Sequence, residues 1–133
     1  LARARAGHCM LDRAVFGREP DALHALKRDA VRMKEALLKG DFRELAAALR
    51  ESWDQKKRTA ASISNETIDT TIRLALEAGA SAAKVSGAGG GGFIMFMVDP
   101  AYRIAVHRAL AARGGTVTGC HFTRIGTEGW KIL

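Results

Sequence analysis

Five of the fourteen glycines in this 133-residue chain stand within six positions, from Gly87 to Gly92. They belong to the segment 84–93, which reads KVSGAGGGGF. A segment so poor in side chains loses more backbone entropy on ordering than any other composition. It is therefore expected where the backbone adopts conformations that other residues avoid, or where it approaches a ligand closely. Phosphate is the commonest ligand of this kind.

The remaining composition indicates one globular domain over residues 1–133, since 47% of the residues are hydrophobic and 26% are charged. No segment has the roughly 18 consecutive apolar residues of a membrane span. The net charge of +7 is spread along the chain without interleaved aromatic residues, which argues against a nucleic-acid partner. Residues 1–7 lack the apolar centre of a signal peptide, and the first methionine is Met10. We therefore expect a fragment of a longer cytoplasmic protein.

The cysteines and histidines predict neither a metal site nor a catalytic residue. Cys9 and Cys120 lie far apart without a C-x-x-C spacing, so both are expected to be free thiols in a reducing cytoplasm. The four histidines are scattered, and a lone histidine on an amphipathic element is usually a surface or core residue.

Hydrophobic periodicity predicts three helices before the glycine segment. The first begins at Asp21, ends at Gly40 and has an apolar face, Leu23, Leu26, Ala30, Met33 and Leu37. The second begins after Asp41, with Glu44 as its capping-box partner and Trp53 on its apolar face. Trp53 is interpreted as a core residue, and the alternative is a cleft edge that it forms with Lys56 and Lys57. The third begins after Ser64 and ends at Gly79. Part of residues 1–20 is also predicted to be helical.

Strands are predicted on both sides of the glycine segment. Residues 82–86 form a short strand, and the six apolar residues 93–98 fit a strand buried on both faces. A fourth helix follows, from Asp99-Pro100 to Gly114-Gly115, and then strands over 116–123 and 128–133. This order predicts an α+β fold with helices packed against one sheet.

Two nucleotide-binding motifs fit the glycine segment poorly. Gly87, Gly89 and Gly92 satisfy G-x-G-x-x-G, but that fingerprint opens a helix, whereas a strand follows here. A Walker A loop requires Gly-Lys-Ser/Thr, whereas Phe93 follows Gly92. A glycine-rich connection between two strands remains. Its amides either bind an anion as a backbone nest, or the loop merely turns tightly beside another backbone. Five glycines exceed the needs of a hairpin turn.

The segments 79–80 and 84–93 resemble the third conserved motif of the GHMP kinases, the superfamily of galactokinases, homoserine kinases and mevalonate kinases. Other features are similar to the branch that phosphorylates D-glycero-D-manno-heptose 7-phosphate. They are 52–57 (SWDQKK), 63–65 (ISN) with Ile68-Asp69, and Gly129-Trp130. Together the matches extend over about residues 21–133.

The resemblance implies a C-terminal kinase domain that folds as a ferredoxin-like plait, with helices on one face of a mainly antiparallel sheet. In intact members an N-terminal domain of the same chain holds the ATP phosphates and supplies the Mg²⁺ ligand and the catalytic aspartate. No catalytic residue or metal ligand is therefore expected in this chain. The implied loop at the phosphoryl-transfer site, beside a sugar phosphate substrate, comprises Gly87, Ala88, Gly89, Gly90 and Gly91, with Lys84 and Ser86 as neighbours.

Two functions from different classes remain open on the sequence. The first is part of an ATP-dependent sugar kinase, in which ATP and Mg²⁺ bind to the intact enzyme and not tightly to this chain. The second is a stand-alone ligand-binding or regulatory plait domain without catalysis, which a ferredoxin-like fold also permits. The kinase interpretation predicts exposed apolar surface where the N-terminal domain packs. It leaves homo-oligomer formation open.

Overall fold

The computed structural model describes residues 20–87 and 89–121. The helices are α1 (Pro20–Lys39), α2 (Phe42–Thr59), α3 (Glu66–Glu77) and α4 (Arg103–Ala111), and the strands are β1 (Ala80–Ser86) and β2 (Phe93–Val98). Short 3-10 helices at Ala61–Ile63 and Pro100–Tyr102 precede α3 and α4. The helix predicted within 1–20 and the strand predicted at 128–133 lie outside the described residues, apart from Pro20, which begins α1.

Helices α1 and α2 form a hairpin that turns at Gly40, as predicted. The Asp41 carboxylate caps α2 by accepting a hydrogen bond of 3.0 Å from the Glu44 N–H. The Glu44 carboxylate was predicted to complete a capping box, but it binds Arg32 of α1 at 2.8 Å. Arg32 also pairs with Glu51. The hydrogen bonds that Arg32 donates to Glu51 and then to Glu44 raise the pKa of Arg32, so the guanidinium stays charged and joins the two helices.

The buried side of α1 differs from the predicted apolar face. Its buried hydrophobic residues are all small: Ala22, Ala25 and Ala36. Ala30 is exposed, and Leu37 retains 44% of its accessible surface. Alanines allow a closer approach of the α2 backbone than leucines do, so the periodicity identified the helix correctly but misplaced its packed side.

The two strands pair antiparallel, with Lys84 opposite Met95 and Val85 opposite Ile94. Neighbouring residues of β1 pack on opposite sides. Val85 lies in a cluster that also contains Trp53 of α2 and the α3 isoleucines. Ala82 packs with Ala46 and Leu49 of α2 and with Met33 and Met97. The described residues therefore confirm an α+β fold with an antiparallel sheet, and they show helices contacting both sides of β1.

Two predictions about the strands were wrong. Residues 116–121 form no strand, while 122–123 lie outside the described residues. Thr116 and Thr118 are exposed, and Val117 packs beside the cluster of Val106 and Leu110 instead. A β-branched composition favours a strand only where a partner edge and a packing surface are available.

Strand β2 has the predicted bounds but is not buried on both faces. Phe93 is 66% exposed and Met95 is 45% exposed, whereas Ile94 and Phe96 pack against the helices. The described residues thus leave a row of apolar side chains uncovered along β2. Within the same residues, no helix has the length and apolar character to cross a membrane.

Replacing Trp53 should show how much of the stability depends on the contact between α2 and β1. Trp53 is 4% exposed, so Trp53→Ala is expected to lower the free energy of unfolding by about 3 to 5 kcal/mol. Phe42→Ala, at a residue of the same helix that is 58% exposed, should cost less than about 1 kcal/mol. Urea denaturation measures both, and equal losses would contradict this account of the core.

Candidate functional site

The glycine loop between β1 and β2 is docked on the segment that precedes α3. The Gly90 N–H donates a hydrogen bond of 2.8 Å to the Ile63 carbonyl oxygen. The Asn65 side-chain amide donates to the Gly90 carbonyl oxygen at 3.2 Å, while its oxygen accepts from the Ile68 N–H at 3.0 Å. Asn65 therefore caps α3 and holds the loop at once. The cap predicted at Ser64 was wrong, because its hydroxyl donates to the Asp69 carboxylate instead.

Close backbone approach explains two of the loop glycines. A Cβ atom at Gly89 would lie 2.9 Å from both the Cα and the carbonyl oxygen of Ile63. At Gly90 it would lie 3.1 Å from the Ser62 carbonyl oxygen. Both residues also have a positive φ, +114° and +72°. The tight turn beside another backbone, one of the two interpretations left open by the sequence, thus accounts for this half of the loop.

Gly87 stands in different surroundings. Its φ is +92°, but a Cβ atom there would have nothing within 4 Å. Among the described residues, no steric neighbour therefore requires a glycine at this position, and they leave the space in front of it open.

A groove with a volume of about 410 Å³ lies at the start of the loop. Its lining residues are Met33, Leu49, Lys56, Lys84, Val85, Ser86, Gly87 and Met95. The structure thus brings together three residues predicted for the site: Lys84, Ser86 and Gly87. Gly89, Gly90 and Gly91 do not line this groove, and Ala88 lies outside the described residues.

Helix α2 positions the two lysines of the groove. The Lys84 ammonium group donates to the Ser52 hydroxyl at 3.1 Å, and Ser52 is only 1% exposed. The Lys56 ammonium group donates to the Gly87 carbonyl oxygen. Ser52 and Lys56 are four residues apart, about one helical turn, and so share a face of α2. One helix face therefore connects to both β1 and the loop.

Sequence reasoning did not identify the part that Lys56 plays here. Lys56 was considered at a cleft edge with Trp53 and Lys57, and within the 52–57 resemblance, but neither interpretation predicted its contact with Gly87. Met33 and Met95 were interpreted only as packing residues. The available signal was the four-residue spacing of Ser52 and Lys56 on a predicted helix. Trp53, between them, is a core residue, and the Lys57 ammonium group lies 5.9 Å from the centre of its ring.

The donor set of the groove suits phosphate oxygens better than a metal ion. Ammonium groups bind phosphate as hydrogen-bond donors and point charges. Mg²⁺ requires oxygen ligands, usually carboxylates, and no lining residue is acidic. Across 20–87 and 89–121, no three or more His, Cys, Asp or Glu side chains are grouped closely enough to hold a metal.

Comparison with known proteins agrees with the resemblance in the glycine loop. The model of the family described as "GHMP kinases C terminal" matches residues 33–116, from the second half of α1 to beyond α4. The chain belongs to this family. It is also 42% identical over 112 residues to the D-glycero-alpha-D-manno-heptose 7-phosphate kinase of Campylobacter jejuni subsp. jejuni serotype O:2 (strain ATCC 700819 / NCTC 11168). The matched part is 84% of this chain and 33% of that relative, so the chain spans about a third of its length.

Two substitutions at Asn65 should separate its two hydrogen bonds. Asn65→Ala removes both and is expected to lower the free energy of unfolding by about 1 to 2 kcal/mol. Asn65→Asp keeps an acceptor for the Ile68 N–H and should cost less, although it loses the donor to the Gly90 carbonyl oxygen. Hydrogen exchange at the Gly90 amide should quicken in both variants. A normal exchange rate in Asn65→Asp would show that this bond does not hold the loop.

Proposed function

We propose that this chain is the C-terminal domain of a kinase that transfers the γ-phosphoryl group of ATP to D-glycero-D-manno-heptose 7-phosphate. Membership of the GHMP kinase C-terminal family supports the reaction class. The named activity of the 42% identical relative supports the acceptor. One observation supports a particular location for the site: Gly87, Lys84 and Lys56 line the same groove.

Phosphoryl transfer depends mainly on positioning and on stabilising negative charge. Lys56 and Lys84 would contribute positive charge at the groove, while the open space at Gly87 allows a ligand to approach the backbone. The Gly90 amide already donates to Ile63, so we assign it to holding the loop and not to binding a ligand. We propose that the Mg²⁺ ligand and the catalytic aspartate come from the N-terminal kinase domain.

The direct test is an assay of the full-length protein with ATP and D-glycero-D-manno-heptose 7-phosphate. ADP release and ³¹P NMR of the sugar product should show a second phosphate ester on the heptose. Turnover only with a different sugar phosphate would support the kinase reaction but show that the proposed acceptor is wrong. Absence of ADP release with every sugar and sugar phosphate tested would contradict the proposal.

The 133-residue chain by itself should have no measurable kinase activity, even when correctly folded. The resemblance places the groups that hold ATP and Mg²⁺ in another domain, and the described groove offers no carboxylate for the metal. The same assay with purified chain tests this, with circular dichroism as the control for folding. Turnover by the chain alone would show that the catalytic groups lie within it.

A pair of glycine substitutions tests whether the start of the loop borders the reaction. Gly87 and Gly114 both have a positive φ, and an added Cβ meets nothing within 4 Å at either one. Gly87→Ala and Gly114→Ala should therefore each cost about 1 to 2 kcal/mol of stability. In the full-length enzyme only Gly87→Ala should lower kcat/KM, by at least about tenfold, or about 1.4 kcal/mol.

Steady-state kinetics and melting temperatures of the two variants test whether Gly87 borders the reaction. Equal kcat/KM values in Gly87→Ala and Gly114→Ala would remove Gly87 from the site. Gly90→Val is a poorer probe, because its side chain would also collide with the Ser62 carbonyl oxygen and disturb the docked loop.

A further inference from the structure

We propose that Lys84 and Lys56, the two cations of the groove, bind the phosphate monoester that the acceptor sugar already has, and thereby select phosphorylated acceptors over the free sugar. This inference rests on the proposed function and identifies which group of the substrate this groove recognises. The transferred phosphoryl group is a different group, supplied by ATP.

The surroundings of Lys84 favour the binding of an anion. Its side chain is half-buried, and the hydrogen-bond partner of its ammonium group is the neutral Ser52 hydroxyl. No carboxylate of the described residues forms an ion pair with Lys84. A partly desolvated ammonium group without a counter-charge is costly. A phosphate in the groove would supply that charge.

Lys56 adds the second positive charge without giving up its contact to the loop. An ammonium group has three donors, so one N–H can remain on the Gly87 carbonyl oxygen while another is directed to an anion. A phosphate oxygen bound in this way would lie next to Gly87, where the backbone leaves open space. The two lysines thus bind an anion beside Gly87, where the glycine loop begins.

The rest of the groove suits a sugar rather than a second charged group. Met33, Leu49 and Met95 provide apolar surface for the carbon skeleton, and the volume of about 410 Å³ is within the usual range for small-ligand sites. Nucleotide phosphates enter kinase sites with Mg²⁺, which is usually held by carboxylates. Because the groove has two cations and no carboxylate, it fits a metal-free phosphate monoester better than the ATP phosphates.

The test uses the full-length kinase with Lys84→Gln, which removes the charge but keeps a donor for the Ser52 hydroxyl. We expect kcat/KM for heptose 7-phosphate to fall about 10- to 100-fold, mainly through KM, while the KM for ATP stays within about twofold of wild type. Lys84→Arg should recover part of the loss. Lys34→Met, at an exposed lysine of α1 outside the groove, is the matched control and should behave as wild type.

A raised KM for ATP with an unchanged KM for the acceptor would assign the lysines to the nucleotide and overturn the proposal. Unchanged kinetics for both substrates would also overturn it. If Lys84→Gln fails to fold, judged by its melting temperature, Lys56→Gln provides the same comparison.

Calorimetric titration with glycerol 3-phosphate, without ATP, separates this inference from the proposed function. Binding by the wild-type protein that is lost in Lys84→Gln would support the subsite even if the protein phosphorylates no sugar. Normal kinase activity combined with equal glycerol 3-phosphate binding in both proteins would refute the subsite alone.

Discussion

The close packing of α2 along β1 is the contact on which the rest of the structure depends. Alanines permit it, since Ala46 of α2 and Ala82 of β1 are both buried in this contact and have no side chain beyond Cβ. Trp53 fills the space on the other side of β1 with Val85. With the helix held this close, the short Ser52 side chain accepts a hydrogen bond of 3.1 Å from the Lys84 ammonium group. Larger residues at the alanine positions would move the helix away from the groove.

Contacts with neighbouring elements fix the glycine loop at its start and near its middle. Lys56 of α2 holds the carbonyl oxygen of Gly87, whereas Ile63 and Asn65 hold Gly90. A loop with so many glycines would otherwise sample many backbone conformations. Because neighbouring elements already restrict the loop, folding would meet part of the ordering cost of binding the ligand proposed above.

Sequence patterns predicted the four described helices, the strands β1 and β2 and the family, but they wrongly predicted a strand from residue 116 and did not identify the partners of individual side chains. The bounds of β2 were predicted exactly by six consecutive apolar residues, and Asp41 was correctly predicted as a cap. The partner of Glu44 was missed because Arg32 lies twelve residues away and only helix packing brings the two together. The contact of Lys56 with Gly87 spans 31 residues for the same reason. Periodicity describes local structure, whereas such contacts depend on tertiary packing.

The division of roles within the loop follows from what surrounds each glycine. The backbone of Ile63 leaves no room for a Cβ atom at Gly89, and the Ser62 carbonyl oxygen leaves little room at Gly90, where it would lie 3.1 Å away. Gly87 has the strained φ without the crowding, and it faces the groove with the two lysines. The proposed ligand-binding role therefore falls on a different residue of the glycine-rich segment from the two that dock the loop. The tight turn explains the crowded glycines, whereas at Gly87 the positive φ alone favours glycine, and the open space there is where the proposed ligand would approach the backbone.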